Sequence, residues 1–332
     1  MAVRIALAIS ALILTVLVLL RTWEPNKIMH LFGSRTSCTE NCFTVRKRNG
    51  VLEFDDKGGY ETRNESVMRL IKRASEEDPS IPDFDAMIVW TGDDPMVDRS
   101  APRGARRIYA FSYNKADPWA VKRIVPVPDF VFDHWRQVGI RTFDVVCQRV
   151  ARAGNAIPAK NAVGWIGNVN TNPARQKLMQ LSEEHPADIE ALNTGNWEID
   201  ATHASGQLKT TSAKFLSFDQ LASSYAYLID IIGSGYSGRL KVLLHSGRPV
   251  LIQDRTQQEF FFKNLVAWKH FVPVKHDLSD LVQNIHWLKS HPDEAQAIGQ
   301  NGKAFAREFL TTKAAVSEWQ NQLWHHAQHF TT

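Results

Sequence analysis

Apolar residues run without a charge from Ile5 to Leu20, flanked by Arg4 and Arg21. Such a run at an N-terminus reads as a membrane anchor or a signal core. No small-x-small cleavage site follows it, so residues 1–21 are expected to form an uncleaved anchor. Residues 22–60 are polar, carry basic clusters and glycine pairs, and show no sustained period; they predict a stalk.

Beyond residue 60 the pattern becomes periodic. Ser66 to Ala74 has helical spacing, Ala86-Met-Ile-Val-Trp is a buried strand ending in the turn Thr91-Gly-Asp-Asp-Pro, and Ile108-Tyr-Ala-Phe-Ser is a second strand. Val125 to Phe132 reads as an extended, proline-rich loop and Phe143 to Ala153 as a helix. After a crossing at Asn155 to Lys160, the strand Ala162-Val-Gly-Trp-Ile leads into a loop from Gly167 to Pro173 and a helix from Ala174. Strand, loop and helix recur from Tyr227. Further strands at Pro249-Val-Leu-Ile and Phe271-Val-Pro-Val precede helices at Leu278 to Lys289, Glu294 to Leu310 and Ala314 to Gln328. The alternation predicts an α/β protein with two Rossmann-like domains facing a cleft, at 61–158 and 159–312, and a helix at 313–332 packing back across them.

Composition adds limits. The 332 residues are 44% hydrophobic and 22% charged, enough for two cores, and the net charge of +4 is spread along the chain, giving no reason to invoke nucleic acid. Cys38 and Cys42 can pair across a short loop but leave Cys147 over, so this is no disulfide scaffold of the secreted kind. Lys and Arg concentrate after the apolar run, which predicts a cytoplasmic body. Asn64-Glu65-Ser66 matches a glycosylation acceptor and matters only in a lumen. His325, His326 and His329 lack partners at ligand spacing, so no metal is expected.

The most informative stretch is Tyr227-Leu-Ile-Asp-Ile-Ile-Gly-Ser-Gly-Tyr-Ser-Gly-Arg-Leu-Lys. Gly233, Gly235 and Gly238 fit G-x-G-x-x-G, Ser234 and Tyr236 lie between them, and Ser237 and Arg239 add a hydroxyl and a guanidinium. A packing turn, a nicotinamide site and a sugar-nucleotide site all satisfy these residues. Asp254 stands where a ribose-binding acid would support the nicotinamide reading. An always-charged arginine after the third glycine, late in the chain, argues against it.

Read with Glu259-Phe-Phe-Phe, Leu265-Val-Ala-Trp-Lys-His-Phe-Val-Pro-Val-Lys-His-Asp-Leu and Gly302-Lys-Ala-Phe-Ala-Arg-Glu-Phe-Leu, this stretch closely resembles glycosyltransferase family 90. Weaker similarity lies upstream at Ile81-Pro-Asp-Phe-Asp and Phe111-Ser-Tyr-Asn-Lys. That family includes lipopolysaccharide-modifying proteins, capsule-associated proteins and animal protein O-glucosyltransferases. The resemblance implies a two-domain GT-B fold and inverting transfer of a sugar, glucose or xylose, from a UDP-sugar to a hydroxyl, with no bound metal or cofactor. It places the base at Asp93 or Asp94, and the diphosphate on Ser237, Arg239 and the loop amides around Gly235. Arg175 would add a second phosphate contact, Gly167 and Thr171 close backbone or hydroxyl contacts, and Glu259 would accept the ribose hydroxyls. The expected acceptor is a lipopolysaccharide or other surface glycan at the cytoplasmic face. The alternatives are serine of a protein substrate in a secretory lumen, an NAD(P)-dependent oxidoreductase, and a tethered glycan-binding protein without activity.

Overall fold

The computed structural model describes residues 39–95, 107–195 and 215–329, with the paired strands Trp197–Ile199 and Leu208–Thr210. These residues belong to one compact unit. The expected anchor lies outside them, and among the described residues no helix is long and apolar enough to cross a membrane.

The first sheet contains β1 (Cys42–Arg48), β2 (Val51–Asp56), β3 (Phe84–Trp90), β4 (Ile108–Ala110) and β6 (Ile124–Pro126), in the order β2-β1-β3-β4-β6. Strands β1, β2 and β3 pair antiparallel, whereas β3, β4 and β6 are parallel. The sheet is therefore mixed rather than purely Rossmann-like. Residues 42–56, expected in the stalk, are a hairpin of this sheet. Its turn is Asn49-Gly50, with φ of 51° and 77°, the left-handed pair that Asn-Gly adopts most readily. Asp83 holds that turn, its carboxylate accepting from the amides of Asn49 at 2.6 Å and Gly50 at 3.0 Å. The helix Glu61–Glu77 begins right after the hairpin. Within it Asn64 is fully buried, donating to Asp56 at 2.7 Å and accepting from Thr91 at 2.5 Å, so it is no glycosylation acceptor in the folded protein.

In the second sheet β7 (Lys160–Gly167), β8 (Ile189–Asn193), β11 (Tyr225–Asp230), β12 (Val250–Gln253) and β14 (Val272–Val274) run parallel in the order β14-β12-β11-β7-β8. From Ala162 in β7 and along β11, β12 and β14 the strands are largely apolar because both faces are covered, whereas β8 at the edge carries Glu190 and alternates. The chain leaves β7 first to one side, to β8, and then returns to the other, to β11. At such a switch point the loops after the two strands diverge and leave a crevice beyond their carboxyl ends. The helix Pro173–Glu184, on one side of that crevice, starts on Pro173 with Asn172 accepting from the Ala174 amide at 3.0 Å.

Two short strands, β5 (Tyr113–Asn114) and β13 (Gln257–Gln258), pair outside both sheets and join the two halves. The last helix, Thr312–His329, returns to the first half, where Gln320 donates to the carbonyl of Ala74, Trp324 to Asp78 and His326 to the carbonyl of Asp85. One buried cluster accordingly runs from Phe43 through Phe132 and Leu240 to Trp319 and Leu323.

Candidate functional site

The carboxyl ends of β7 and β11 open into a cavity of about 560 Å³. Gly167, Thr171, Arg175, Gly233, Ser234, Tyr236, Ser237 and Arg239 line one side, and Asp93 lines the other with Tyr60, Thr62, Arg63, Phe130 and Trp135. The cavity thus collects most of the residues expected from the sequence, from three separate stretches at residue 93, at 167–175 and at 233–239.

Two arginines form its cationic wall. Arg175 donates from Nε to the carbonyl of Ile232 at 2.9 Å and from Nη1 to that of Asn168 at 3.0 Å, while Arg239 donates to the carbonyl of Ile166. Arg175 thereby stitches the loop after β7 to the loop after β11, and Arg239 ties the latter to the end of β7 itself. Both guanidiniums lie over the Trp165 ring, at 5.6 and 5.3 Å from its centroid. Burial, and then the neighbouring Arg239 charge, push the pKa of Arg175 down to about 9, against the pull of Asp230. Arg239 is also lowered by burial. Its Nη2 is buried with no hydrogen-bond partner. Two crowded cations and an unused donor beside a cavity make a receptor for an anion.

Asp93 follows β3. Arg63, from the helix Glu61–Glu77 and itself on the cavity wall, donates from Nη1 to Oδ1 of Asp93 at 2.8 Å and to the carbonyl of Thr91 at 3.2 Å, gripping the turn. Arg63 carries no motif in the sequence. The turn rests on the glycine loop: a Cβ at residue 235 would overlap the Asp93 carbonyl oxygen and lie 2.8 Å from its carbon. Gly235 is used for that approach and does not line the cavity. Asp94 also stays off the cavity wall, and its carboxylate lies 3.5 Å from Nε2 of Gln257.

Two of the expected residues are engaged within the protein. Glu259 is buried away from the cavity, 2.7 Å from Lys241, which also pairs with Asp129 at 2.9 Å. Burial raises the Glu259 pKa and Lys241 opposes the rise, while Lys241 itself is held up by its two carboxylates against desolvation. Glu259 therefore answers a buried lysine instead of a ribose. Ser237 lines the cavity, but its hydroxyl donates to Asp230 at 2.5 Å, so its proton is not directed at a phosphate.

The glycine loop also departs from a dinucleotide fingerprint. It follows the third strand of its sheet in chain order, and the helix after it, Leu240–Leu243, is a single turn. Gly238 lies against Trp135 of the first half, where a Cβ would come within 2.9 Å of the ring. Gly235 and Gly238 serve contact between the halves, while Gly233 lies against Tyr236 and Arg175 of its own half. Among the described residues no cluster of three or more His, Cys, Asp or Glu could hold a metal ion.

The sequence pattern of glycosyl transferase family 90 matches residues 22–332. The chain belongs to that family. This family 90 member is 30% identical over 190 residues to human protein O-glucosyltransferase 1, covering 56% of this chain and 47% of that protein. Against protein O-glucosyltransferase 2 of Danio rerio it is 38% identical over 146 residues, 44% of this chain and 28% of the relative. The matched region thus spans less than half the length of these relatives. Among solved structures it resembles sucrose-phosphate synthase from Thermosynechococcus elongatus, at 15% identity over 60% of this chain and 44% of that one, with a TM-score of 0.33.

Proposed function

We propose that this chain transfers a sugar from a UDP-sugar to a hydroxyl acceptor with inversion, across a cleft of the GT-B kind. The observation that carries this reading is the seating of the Asp93 turn on Gly235, which sets a carboxylate across one cavity from Arg175 and Arg239. The acceptor oxygen attacks the anomeric carbon as the bond from that carbon to the diphosphate breaks. Asp93 takes the acceptor proton through Oδ2, and the electron pair leaves on the diphosphate, whose charge the two arginines stabilise in place of a metal. The donor sugar is glucose or xylose.

Two acceptors fit this chemistry. A hydroxyl of a lipopolysaccharide or other surface glycan is the first, presented to a body tethered through residues 1–21. The second is a serine hydroxyl of a protein, favoured by the names of the relatives and by the disulfide at Cys42, a bond that persists in oxidising compartments and speaks against a cytoplasmic body. Incubating the purified protein with UDP-glucose or UDP-xylose and either glycan extracts or serine-bearing disulfide-rich domains, with products weighed by mass spectrometry, tests both. Transfer that depends on Asp93, lost in Asp93→Asn, supports the reading. Transfer unchanged in that variant, or no UDP binding by the wild type, overturns it.

A further inference from the structure

We infer that Arg255 is a positioning residue of the anion site, keeping the charge of Asp230 off the bound ligand. The inference rests on the diphosphate reading of that site. Asp230 ends β11 directly behind the cavity wall and is fully buried. One of its oxygens accepts the Ser237 hydroxyl at 2.5 Å, and the other accepts from Nη2 of Arg255. Ser237, which donates to this carboxylate, lines the cavity where an anion would sit.

Left to itself, a buried carboxylate there would repel a diphosphate at low local dielectric. Arg255 answers it from the loop after β12, with its guanidinium over Phe262 at 5.5 Å from the ring centroid. It is 3% exposed, and its Nε and Nη1 have no partner, so Asp230 is the one hydrogen-bonded role found for its side chain among the described residues. The arginines at 175, 239 and 255 act on one another and on this single carboxylate. With Asp230 neutralised by Arg255, the charges of Arg175 and Arg239 are both left for the ligand. The same ion pair fixes the carboxylate that accepts the Ser237 hydroxyl.

Calorimetric titration of UDP and of uridine into the full chain, its Arg255→Met and Asp230→Asn variants and the double variant tests this. Arg255→Met should weaken UDP about 10-fold or more while uridine binds as to the wild type, because only the diphosphate meets the exposed charge. Asp230→Asn should bind UDP more tightly than the wild type, and the double variant should return to within about 3-fold of it. A residue needed only for folding would make the double variant at least as poor as the worse single one. Wild-type affinity in Arg255→Met, or a double variant as weak as that single variant, overturns the inference. Where Arg255→Met does not fold, the double variant decides by the same threshold. A wild type that binds uridine but not UDP would instead overturn the diphosphate reading on which the inference stands.

Discussion

The carbonyl of Asp93 sits so closely on Gly235 that only a residue without a Cβ fits beneath it. The carboxylate proposed as the base is thus placed by the glycine loop. Gly235→Ala should push the Asp93 turn outward and lower kcat by about 10- to 100-fold, with UDP affinity changed less than about 3-fold. Steady-state kinetics beside UDP titration would show the split; a loss confined to UDP affinity would contradict it.

Arg63 holds the same carboxylate from the opposite side, through its 2.8 Å bond to Oδ1. Arg63→Ala removes that brace without touching Arg175 or Arg239. The expected result is a fall in kcat of about 10-fold or more with UDP binding retained, measured by the same pair of assays.

Lys241 is fully buried between Asp129 and Glu259. Lys241→Met strands two carboxylates in the interior and should cost about 3–5 kcal/mol in chemical denaturation. Glu259→Gln should cost much less, since the Glu259 pKa is already raised by burial and its Oε2 has no partner. Equal losses in the two variants would mean that the cluster is not governed by the lysine charge.

His326 is buried against Phe84 and Tyr109, its neutral ring donating from Nε2 to the carbonyl of Asp85 and accepting at Nδ1 from the Tyr109 hydroxyl. Burial pushes its pKa from 6.5 down to about 4. The unfolded chain takes up a proton first as pH falls, so the stability held by the neutral ring is complete above about 6.5 and is lost as pH drops toward 4. Denaturation at pH 7.5 and pH 5 should show the wild type losing on the order of 1–3 kcal/mol from this group, a loss absent in His326→Gln. An identical pH dependence in both proteins would contradict this.

Four strands of the second sheet, β7, β11, β12 and β14, were legible as apolar runs between turn residues, whereas β8, with Glu190 inside it and a half-buried alternation, was not. The hairpin at 42–56 was not, although Asn49-Gly50 marks its turn. Its inward positions include Lys47, whose ammonium reaches the carbonyl of Ile81 at 2.7 Å while the residue is 3% exposed. A lysine at a buried position breaks the alternation that identifies a strand. Asp93, Arg175 and Arg239 stand beside local motifs in the sequence, and all three line one cavity. Glu259 was misread because Lys241 and Asp129, which explain it, lie far along the chain, and Arg63 was missed because one arginine on an amphipathic helix carries no motif.

The β5–β13 ladder matches Asn114 to Gln257 and Tyr113 to Gln258, and beside it the Lys115 amide donates to the carbonyl of Thr256 at 2.9 Å. Main-chain bonds of this kind couple the fates of the two sheets, since neither can come apart while the other keeps its hydrogen bonds at this seam. Together with a core shared across the halves, they make denaturation a single cooperative event rather than two successive meltings.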